Sequence, residues 1–299
     1  MDINFDLRIA EFIKKVINFY IKKRVTYRSR IKDAEWLELF HNKDNFIFNL
    51  DDKLKILLFK DDLLSRLIYN SFEKAEIDFL KYFLKEEDVF LDIGANIGLF
   101  SLYASNIVGE SGKIFAFEPT PKTFVRLNSN IELNKKQNIV ALNIGLSNED
   151  GLVDFNVSND GYDAWNSIVD LDILVNRNKI KIKFKTLDSF IEEYDLRKIS
   201  LVKLDVEGWE KFVLQGSHRL LSKTDAPVFL VEFAEKNAFK AGYYCNEVFD
   251  LMESYGYSWF SYSSINNKLI KEKRRLHYPY INLIAIKNFS GRKELLKGF

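Results

Sequence analysis

The sequence is poor in cysteine, histidine and proline, and each shortage excludes a class of structure. Its 299 residues include one cysteine, Cys245, so no disulfide can form within the chain. The three histidines, His41, His218 and His277, lie far apart, and no cysteine–histidine cluster has the spacing of a zinc site. With four prolines, the chain also has no proline-rich linker, and no internal repeat or low-complexity segment divides it.

Long hydrophobic runs and an excess of one charge are also missing. No run approaches the length of about 18 apolar residues that a membrane-spanning helix needs. Asp2, Asp6 and Arg8 interrupt the first residues, so no signal peptide is predicted and we expect a cytoplasmic protein. The formal net charge of +1 favours neither a nucleic acid nor an acidic partner, whereas 47% hydrophobic residues suffice for a large core.

The most informative stretch, residues 89–100, predicts a buried strand, a turn and a helix. The strand ends at Asp92, and the turn contains Gly94 and Gly98. Glycine has no Cβ, so the backbone of such a turn can approach a ligand closely. A strand, a glycine turn and a helix in this order are typical of nucleotide sites in doubly wound α/β sheets.

The acid in this stretch indicates which kind of nucleotide binds. The glycines are spaced G-x-x-x-G rather than as the dinucleotide fingerprint G-x-G-x-x-G, and the Asp92 carboxylate would repel a pyrophosphate. A carboxylate suits a ligand with a positive centre, such as the ammonium and sulfonium of S-adenosylmethionine. The N-terminus of the following helix can receive that ligand's carboxylate. A dinucleotide, and with it a nicotinamide-dependent oxidoreductase, is the alternative.

A second strand, predicted for residues 113–117, supports an adenosyl ligand. It ends at Glu118, and the following Pro119 stops it. An acid about 20 residues after the glycine turn typically binds ribose hydroxyls. We therefore expect Glu118 to contact a ribose.

Strand and helix patterns alternate through the middle of the chain. This alternation predicts an α/β fold with a mostly parallel sheet and helices on both faces. Apolar runs predict the strands at residues 89–92, 113–117, 139–144, 201–205 and 228–233. Ligands bind at the carboxyl ends of such strands. The residues that fall at these ends are Asp92, Glu118, Gly145, Asp205 and Glu232.

Segments outside this core complete the predicted architecture. Residues 1–69 form a helical and hairpin extension before a domain of residues 70–299, in which runs at 257–262 and 280–286 predict an antiparallel edge pair. Residues 1–32 combine an apolar helical stripe with many lysines and arginines. A helix on an anionic membrane surface is one interpretation. We favour the other, a helix packed on the domain or on a second copy of the chain.

A long insertion, at about residues 151–198, interrupts the alternation of strand and helix. It predicts a hairpin whose two strands flank a loop rich in aromatic and amide residues. Long inserted loops are usually functional. Tyr162 and Trp165 are suited to stacking on a sugar ring while Asn166 hydrogen-bonds its hydroxyls, so we predict that these residues bind substrate. A surface loop packed on Trp165 is the alternative.

Residues 200–210 place two more acids at a strand end. Asp205 closes an alternating apolar run, Glu207 follows it, and Lys203 lies one pleat back. Either carboxylate can accept a proton from a substrate hydroxyl. Asp205 can instead hold a cofactor ammonium, which leaves Glu207 as the base. A divalent cation held by both acids and a simple acid pair at a helix N-terminus are the other interpretations.

Together, these motifs resemble the FkbM-type S-adenosylmethionine-dependent methyltransferase family. The resemblance implies a class I methyltransferase fold with a seven-stranded sheet, S-adenosylmethionine as cofactor, and O-methyl transfer to glycans, polyketides or other secondary metabolites. The matching segments, in the family's order, are FLDIGANIG (90–98), AFEP (116–119), NIGLS (143–147), TLD (186–188), VKLDVEGWE (202–210), VLQG (213–216) and VE (231–232).

The resemblance also implies residue roles. The glycine turn would line the methionine part of the cofactor, Glu118 would bind the ribose, and Gly145 with Leu146 would flank the adenine. The predicted cofactor-binding residues are Asp92, Gly94, Ala95, Asn96, Gly98, Glu118, Gly145, Leu146 and Asp205. Asp205 and Glu207 would be catalytic, and Glu232 is assigned to the substrate. Because the aromatic and amide loop suits a polyhydroxylated ring, we expect a saccharide hydroxyl as acceptor.

Overall fold

The computed structural model describes residues 35–158 and 177–287. The predicted basic helix within residues 1–32 lies outside the described residues. Three predicted substrate residues also lie outside them: Tyr162, Trp165 and Asn166. Within the two described ranges, no helix combines the length and the hydropathy that crossing a membrane requires.

Strands and helices alternate along most of the described chain. The strands are β1 (Asn45–Asn49), β2 (Lys55–Phe59), β3 (Val89–Ile93), β4 (Lys113–Phe117), β5 (Ile139–Leu142), β6 (Gly145–Leu146), β7 (Gly151–Ser158), β8 (Arg177–Lys185), β9 (Leu201–Leu204), β10 (Val228–Phe233), β11 (Ser258–Ser263), β12 (Lys268–Lys271) and β13 (Ile281–Ile286). The helices are α1 (Leu63–Tyr69), α2 (Lys74–Phe83), α3 (Leu99–Val108), α4 (Pro121–Leu133), α5 (Leu187–Glu193), α6 (Glu210–Gln215), α7 (His218–Ser222), α8 (Glu235–Lys240) and α9 (Cys245–Ser254).

The central sheet has eight strands in the order β5-β4-β3-β9-β10-β13-β11-β12. Neighbours from β5 to β10 are parallel, whereas the remaining pairs are antiparallel. This arrangement confirms the predicted doubly wound α/β class with an antiparallel pair, β11 and β13. The sheet has one strand more than the seven predicted, because Lys268–Lys271 pairs with β11 as an edge strand and buries Leu269.

Two apolar layers cover the two faces of this sheet. Successive side chains of a strand point to opposite faces, so Phe90 packs in one cluster and Leu91 and Ile93 pack in the other. Residues of α2 and α3 belong to the first cluster, and residues of α5, α6 and α9 belong to the second. The strands that form the site are therefore buried on both faces, and their carboxyl ends are held rigidly.

An antiparallel hairpin of β1 and β2 precedes the sheet, as the sequence predicts, and is attached to α4. Asn130 accepts a hydrogen bond from the Leu57 amide at 2.6 Å, and Asn134 bonds to both backbone groups of Lys55. These amides satisfy backbone groups at the edge of β2 that would otherwise need water. The predicted domain division between residues 69 and 70 stays a prediction.

The insertion forms a second sheet in the order β6-β8-β7, in which β7 and β8 make the predicted hairpin. Phe184 of β8 packs directly on Gly145, where an added Cβ would lie 2.1 Å from its ring. This contact attaches the hairpin to β6, the short strand that follows β5. The hairpin therefore contributes a side chain to the edge of the central sheet.

Candidate functional site

A cavity of about 450 Å³ opens where the parallel strands β3, β4, β9 and β10 end. This is the edge at which doubly wound sheets bind their ligands. The cavity brings together most of the described residues that the sequence predicts as a site. Those that line it are Gly94, Ala95, Asn96, Glu118, Gly145, Leu146, Asp205, Glu207 and Glu232.

The turn after β3 is held closely against the ends of β4 and β9. The amides of Gly94 and Ala95 donate to the Phe117 carbonyl at 3.1 and 2.9 Å, and the Asp205 amide donates to the Ile93 carbonyl at 3.1 Å. Gly94 has a φ of +83°, and a Cβ there would lie 1.8 Å from the Asp205 carbonyl oxygen. Only glycine fits this position, so the turn packs its backbone directly against the backbone that follows β9.

Glu118 follows β4 and organises the loops on either side of it. Its Oε2 accepts a hydrogen bond from the Asn96 amide at 3.1 Å, and its Oε1 accepts one from the Thr120 amide at 2.8 Å. The residue also lines the cavity. Glu118 therefore brings a carboxylate to the cavity, and its contact with a ribose stays a prediction.

Asp92 is not among the residues that line the cavity, so its predicted contact with a cofactor stays a prediction. The strand continues through Ile93, so Asp92 lies inside β3 beside Lys203 of β9 rather than at the strand end. Its side chain is 0% exposed, and Oδ2 accepts a hydrogen bond from Ser101 Oγ at 2.6 Å. Burial raises the pKa of Asp92, and the charge of Lys203 opposes that shift. Asp92 therefore lies behind the cavity wall.

Gly98 is also absent from the residues that line the cavity, and its predicted cofactor contact stays a prediction too. It is the N-cap of α3 with a φ of +95°. A Cβ at this position would lie 2.7 Å from the side chain of Leu127 in α4. The second glycine of the turn thus allows α3 and α4 to pack closely.

Lys203 and Asp205 form a buried ion pair in the cavity wall. The Lys203 Nζ lies 2.9 Å from Asp205 Oδ2 and 4.7 Å from the centroid of the Phe100 ring. Although burial opposes it, the carboxylates of Asp205 and Asp92 raise the pKa of Lys203. The lysine stays charged, so Asp205 is held in place and partly neutralised.

The loop that carries Glu207 is fixed by a structural acid. Glu210 Oε1 accepts hydrogen bonds from the amides of Val206 and Gly208 at 2.9 and 3.2 Å. Glu207 itself has a φ of +53°, and its Oε2 accepts a hydrogen bond from Asn237 Nδ2 at 2.7 Å. Burial raises the pKa of Glu207 well above 4.5, and the nearby carboxylates of Asp205 and Glu210 add to the shift.

Glu232 ends in the cavity with an unused hydrogen-bonding atom. The residue is 6% exposed, and its Oε2 is buried without a hydrogen-bond partner among the described residues. Burial raises its pKa, and the carboxylates of Asp205 and Glu207 add to the shift. A buried carboxylate oxygen without a donor is costly. A ligand that supplies a hydroxyl or an ammonium here would remove that cost.

Two of the quoted motif segments are joined in the fold, because Trp209 Nε1 donates to Ser147 Oγ at 3.0 Å. Several other lining residues come from outside the motifs and have no signal in the sequence, because a fold contact brings them there: Glu73, Phe184, Lys236 and Tyr280. Across residues 35–158 and 177–287, no group of three or more metal-ligating side chains is arranged to hold a metal ion.

Known proteins resemble this chain over part of its length. It is 30% identical to Methyltransferase 1 of Beauveria bassiana over 147 residues. This alignment covers 44% of this chain and 59% of the relative. It is also 30% identical to the hexuronic acid methyltransferase AglP of Haloferax volcanii over 155 residues. That alignment covers 51% of this chain and 60% of the relative. The chain thus spans about three fifths of the length of these curated relatives.

A solved structure and a family model add to this similarity. The crystal structure of an FkbM methyltransferase from Methylobacillus flagellatus aligns with a TM-score of 0.42 and 14% identity, over 68% of this chain and 44% of that one. The family model of the methyltransferase FkbM domain matches residues 92–259. This match extends from inside β3 into β11. It includes four acids that line the cavity: Glu118, Asp205, Glu207 and Glu232. Because the match covers more than half of the chain, the protein belongs to the FkbM methyltransferase family.

Proposed function

We propose that the chain is an S-adenosylmethionine-dependent O-methyltransferase that acts on a hydroxyl of a saccharide or glycan precursor. Membership of the FkbM family supports methyl transfer, and the hexuronic acid methyltransferase among its relatives supports a saccharide acceptor. The observation on which the proposal depends most is the cavity at the carboxyl edge of the sheet, where the Gly94 turn, Glu118 and further carboxylates meet.

The residues of the cavity fit this cofactor. The Gly94 turn lines the cavity with backbone, and we assign the methionine part to it. Glu118 brings to the cavity a carboxylate to which ribose hydroxyls can donate, and Gly145, Leu146 and Phe184 line it where we place the adenine. When bound, the cofactor supplies a methyl group activated by a positive sulfonium. The acids of the cavity favour that positive charge.

The chain's own groups then bind and deprotonate the acceptor. Asp205 is already paired with Lys203, so we assign proton transfer to Glu207, whose pKa burial and the neighbouring carboxylates raise above its usual range. The unpartnered oxygen of Glu232 accepts a hydrogen bond from a neighbouring hydroxyl of the acceptor and orients it. Alignment of the attacking oxygen is the larger contribution, and proton removal adds a factor of roughly 10² to 10⁴.

Two alternatives differ in class from this proposal. A nicotinamide-dependent oxidoreductase fits poorly with membership of a methyltransferase family. A polyketide or another secondary metabolite is the alternative acceptor, and it would need fewer hydroxyl partners than a saccharide. The predicted cytoplasmic location stays a prediction.

Calorimetric titration with S-adenosylhomocysteine and with NAD⁺ tests the cofactor. We expect S-adenosylhomocysteine to bind and NAD⁺ not to bind. A second assay uses S-adenosylmethionine with a labelled methyl group and a panel of saccharides, uronic acids and aromatic polyketides. Label in a base-stable methyl ether of a saccharide supports the proposal. Binding of NAD⁺ alone would overturn the cofactor assignment, and label in polyketides alone would overturn the acceptor assignment.

Replacing Glu118 with alanine is expected to weaken S-adenosylhomocysteine binding by roughly 10- to 100-fold, because hydrogen bonds to a charged group are lost. The same carboxylate accepts from the amides of Asn96 and Thr120, so the melting temperature also has to be measured. Glu118→Gln is the matched control, since its amide retains one accepting oxygen and should bind with intermediate affinity. Unchanged affinity in the alanine variant, with a lower melting temperature, would limit Glu118 to a structural role.

A further inference from the structure

Glu73 brings an acid into the cavity from outside the family motifs. It is the N-cap residue of α2, in the segment that precedes the first strand of the central sheet. Its φ of +54° lies in the left-handed region, which is uncommon for a residue other than glycine. Its side chain makes no capping hydrogen bond, although capping is the usual role of a polar residue there. The carboxylate lines the cavity instead.

The surroundings of Glu73 contain more negative than positive charge. Three acids lie close enough to Glu73 to raise its pKa, namely Asp205, Glu76 and Asp92. Lys203 is the positive group that faces it. Lys203 is already paired with Asp205 at 2.9 Å. The pKa of Glu73 is raised to about 8, mainly by burial. The charge of Lys203 opposes this shift, and the three acids add to it. A further cation from a ligand would therefore be stabilised beside Glu73.

A second, independent observation also indicates a ligand in this cavity. Glu232 Oε2 is buried there without a hydrogen-bond partner among the described residues. Glu73, Glu232 and Tyr280 all line this one cavity. The space between them is thus built for a ligand that donates hydrogen bonds and carries positive charge.

The order of the strands shows which part of the cofactor would reach Glu73. The proposed ribose acid, Glu118, follows β4, and the proposed adenine border, Gly145, follows β5. Apart from Glu76 on its own helix, the charged groups that face Glu73 are Asp92 on β3, Lys203 on β9 and Asp205 just after β9, on the other side of β4 from β5. An adenosyl group that lies over β5 and β4 therefore directs its amino acid part toward β3, β9 and Glu73.

We propose that Glu73 binds the ammonium group of the methionine part of S-adenosylmethionine, an inference that rests on the proposed function. It assigns to Glu73 the role that the sequence allows for Asp92, which is 0% exposed and does not line the cavity, or for Asp205, which is paired with Lys203. Glu73 is supplied by the segment before the sheet, so that segment is part of the cofactor site.

A double-mutant cycle between protein and ligand tests this contact. Calorimetry measures three ligands: S-adenosylhomocysteine, its analogue without the amino group, and 5′-methylthioadenosine, which lacks the whole amino acid part. Glu73→Gln is expected to weaken S-adenosylhomocysteine binding by roughly 10- to 100-fold. Its affinities for the other two ligands should stay within about twofold of the unsubstituted protein, because neither offers an ammonium to Glu73.

The matched control is Glu76→Gln, one turn further along the same helix. The Glu76 carboxylate accepts a hydrogen bond from Asn282 and does not line the cavity, so its replacement should leave all three affinities nearly unchanged. Retained binding of 5′-methylthioadenosine shows that Glu73→Gln is folded. Equal loss of all three ligands, or unchanged S-adenosylhomocysteine affinity, would overturn the inference while leaving the proposed function intact. If the unsubstituted protein binds none of the three, both fail.

Discussion

Replacing Gly94 with alanine is expected to reduce the affinity for S-adenosylhomocysteine by more than about 100-fold, since a clash in the turn displaces several contacts of at least 1 kcal/mol each. The added Cβ would lie 1.8 Å from the Asp205 carbonyl oxygen, which belongs to the backbone and cannot rotate away. The turn must then move out of contact with β9 and into the space of the ligand. The φ of +83° adds strain, and together we expect a loss of about 2–4 kcal/mol in the free energy of unfolding.

Two other glycines separate the clash from the strain. Gly242 has a φ of +86° with open space around its Cβ position, so Gly242→Ala should show the strain alone, about 1–2 kcal/mol. Gly151 has neither a positive φ nor a neighbour within 4 Å, so its replacement should be nearly neutral. Chemical denaturation gives the stabilities, and calorimetry gives the affinities. If Gly94→Ala binds S-adenosylhomocysteine as tightly as Gly242→Ala does, the turn does not shape the site.

The sequence determines the strands of the sheet well because they are buried on both faces. Such strands are nearly continuous apolar runs, and β4 and β10 coincide with the predicted ranges, residues 113–117 and 228–233. The edge strand β12 follows a different pattern, Lys-Leu-Ile-Lys, in which Leu269 is buried and Ile270 is exposed. A short edge strand with two lysines differs little from a solvated loop, so its pairing becomes visible only in the fold.

In the site, too, the sequence predicts some features, and others become visible only in the fold. Motifs identify the acids at the strand ends, and Glu118, Asp205, Glu207 and Glu232 do line the cavity. They cannot decide which way an acid faces when the strand continues by one residue, as it does past Asp92. Side chains alternate along a strand, so one residue separates a cavity contact from a buried bond to a helix.

The motifs do not predict the residues that reach the cavity from distant parts of the chain, and the reason is a different one. Glu73 precedes the first strand of the central sheet, and Phe184 belongs to the inserted hairpin. Neither position has a local pattern that differs from an ordinary helix start or an alternating strand. Only the packing of the extension and of the hairpin against the sheet brings these side chains to the cavity.

Replacing Glu207 with glutamine is expected to lower kcat by roughly 10² to 10⁴, the usual contribution of a general base. Glutamine has nearly the same shape and can still accept the hydrogen bond that Asn237 donates at 2.7 Å, so the loop should stay in place. Glutamine cannot take up the proton of the acceptor hydroxyl. S-adenosylhomocysteine affinity and the melting temperature should therefore change little.

The pH dependence of kcat separates this role from a structural one. The base acts in its ionised form, so kcat should rise with pH through the pKa of Glu207, which burial and the carboxylates of Asp205 and Glu210 raise well above 4.5. That rise should be absent from Glu207→Gln. Glu232→Gln should mainly raise KM for the acceptor, because Glu232 orients a neighbouring hydroxyl, and the exposed Glu253→Gln serves as the neutral control. If the rise in kcat survives in Glu207→Gln and disappears in Glu232→Gln, the proton goes to Glu232 instead.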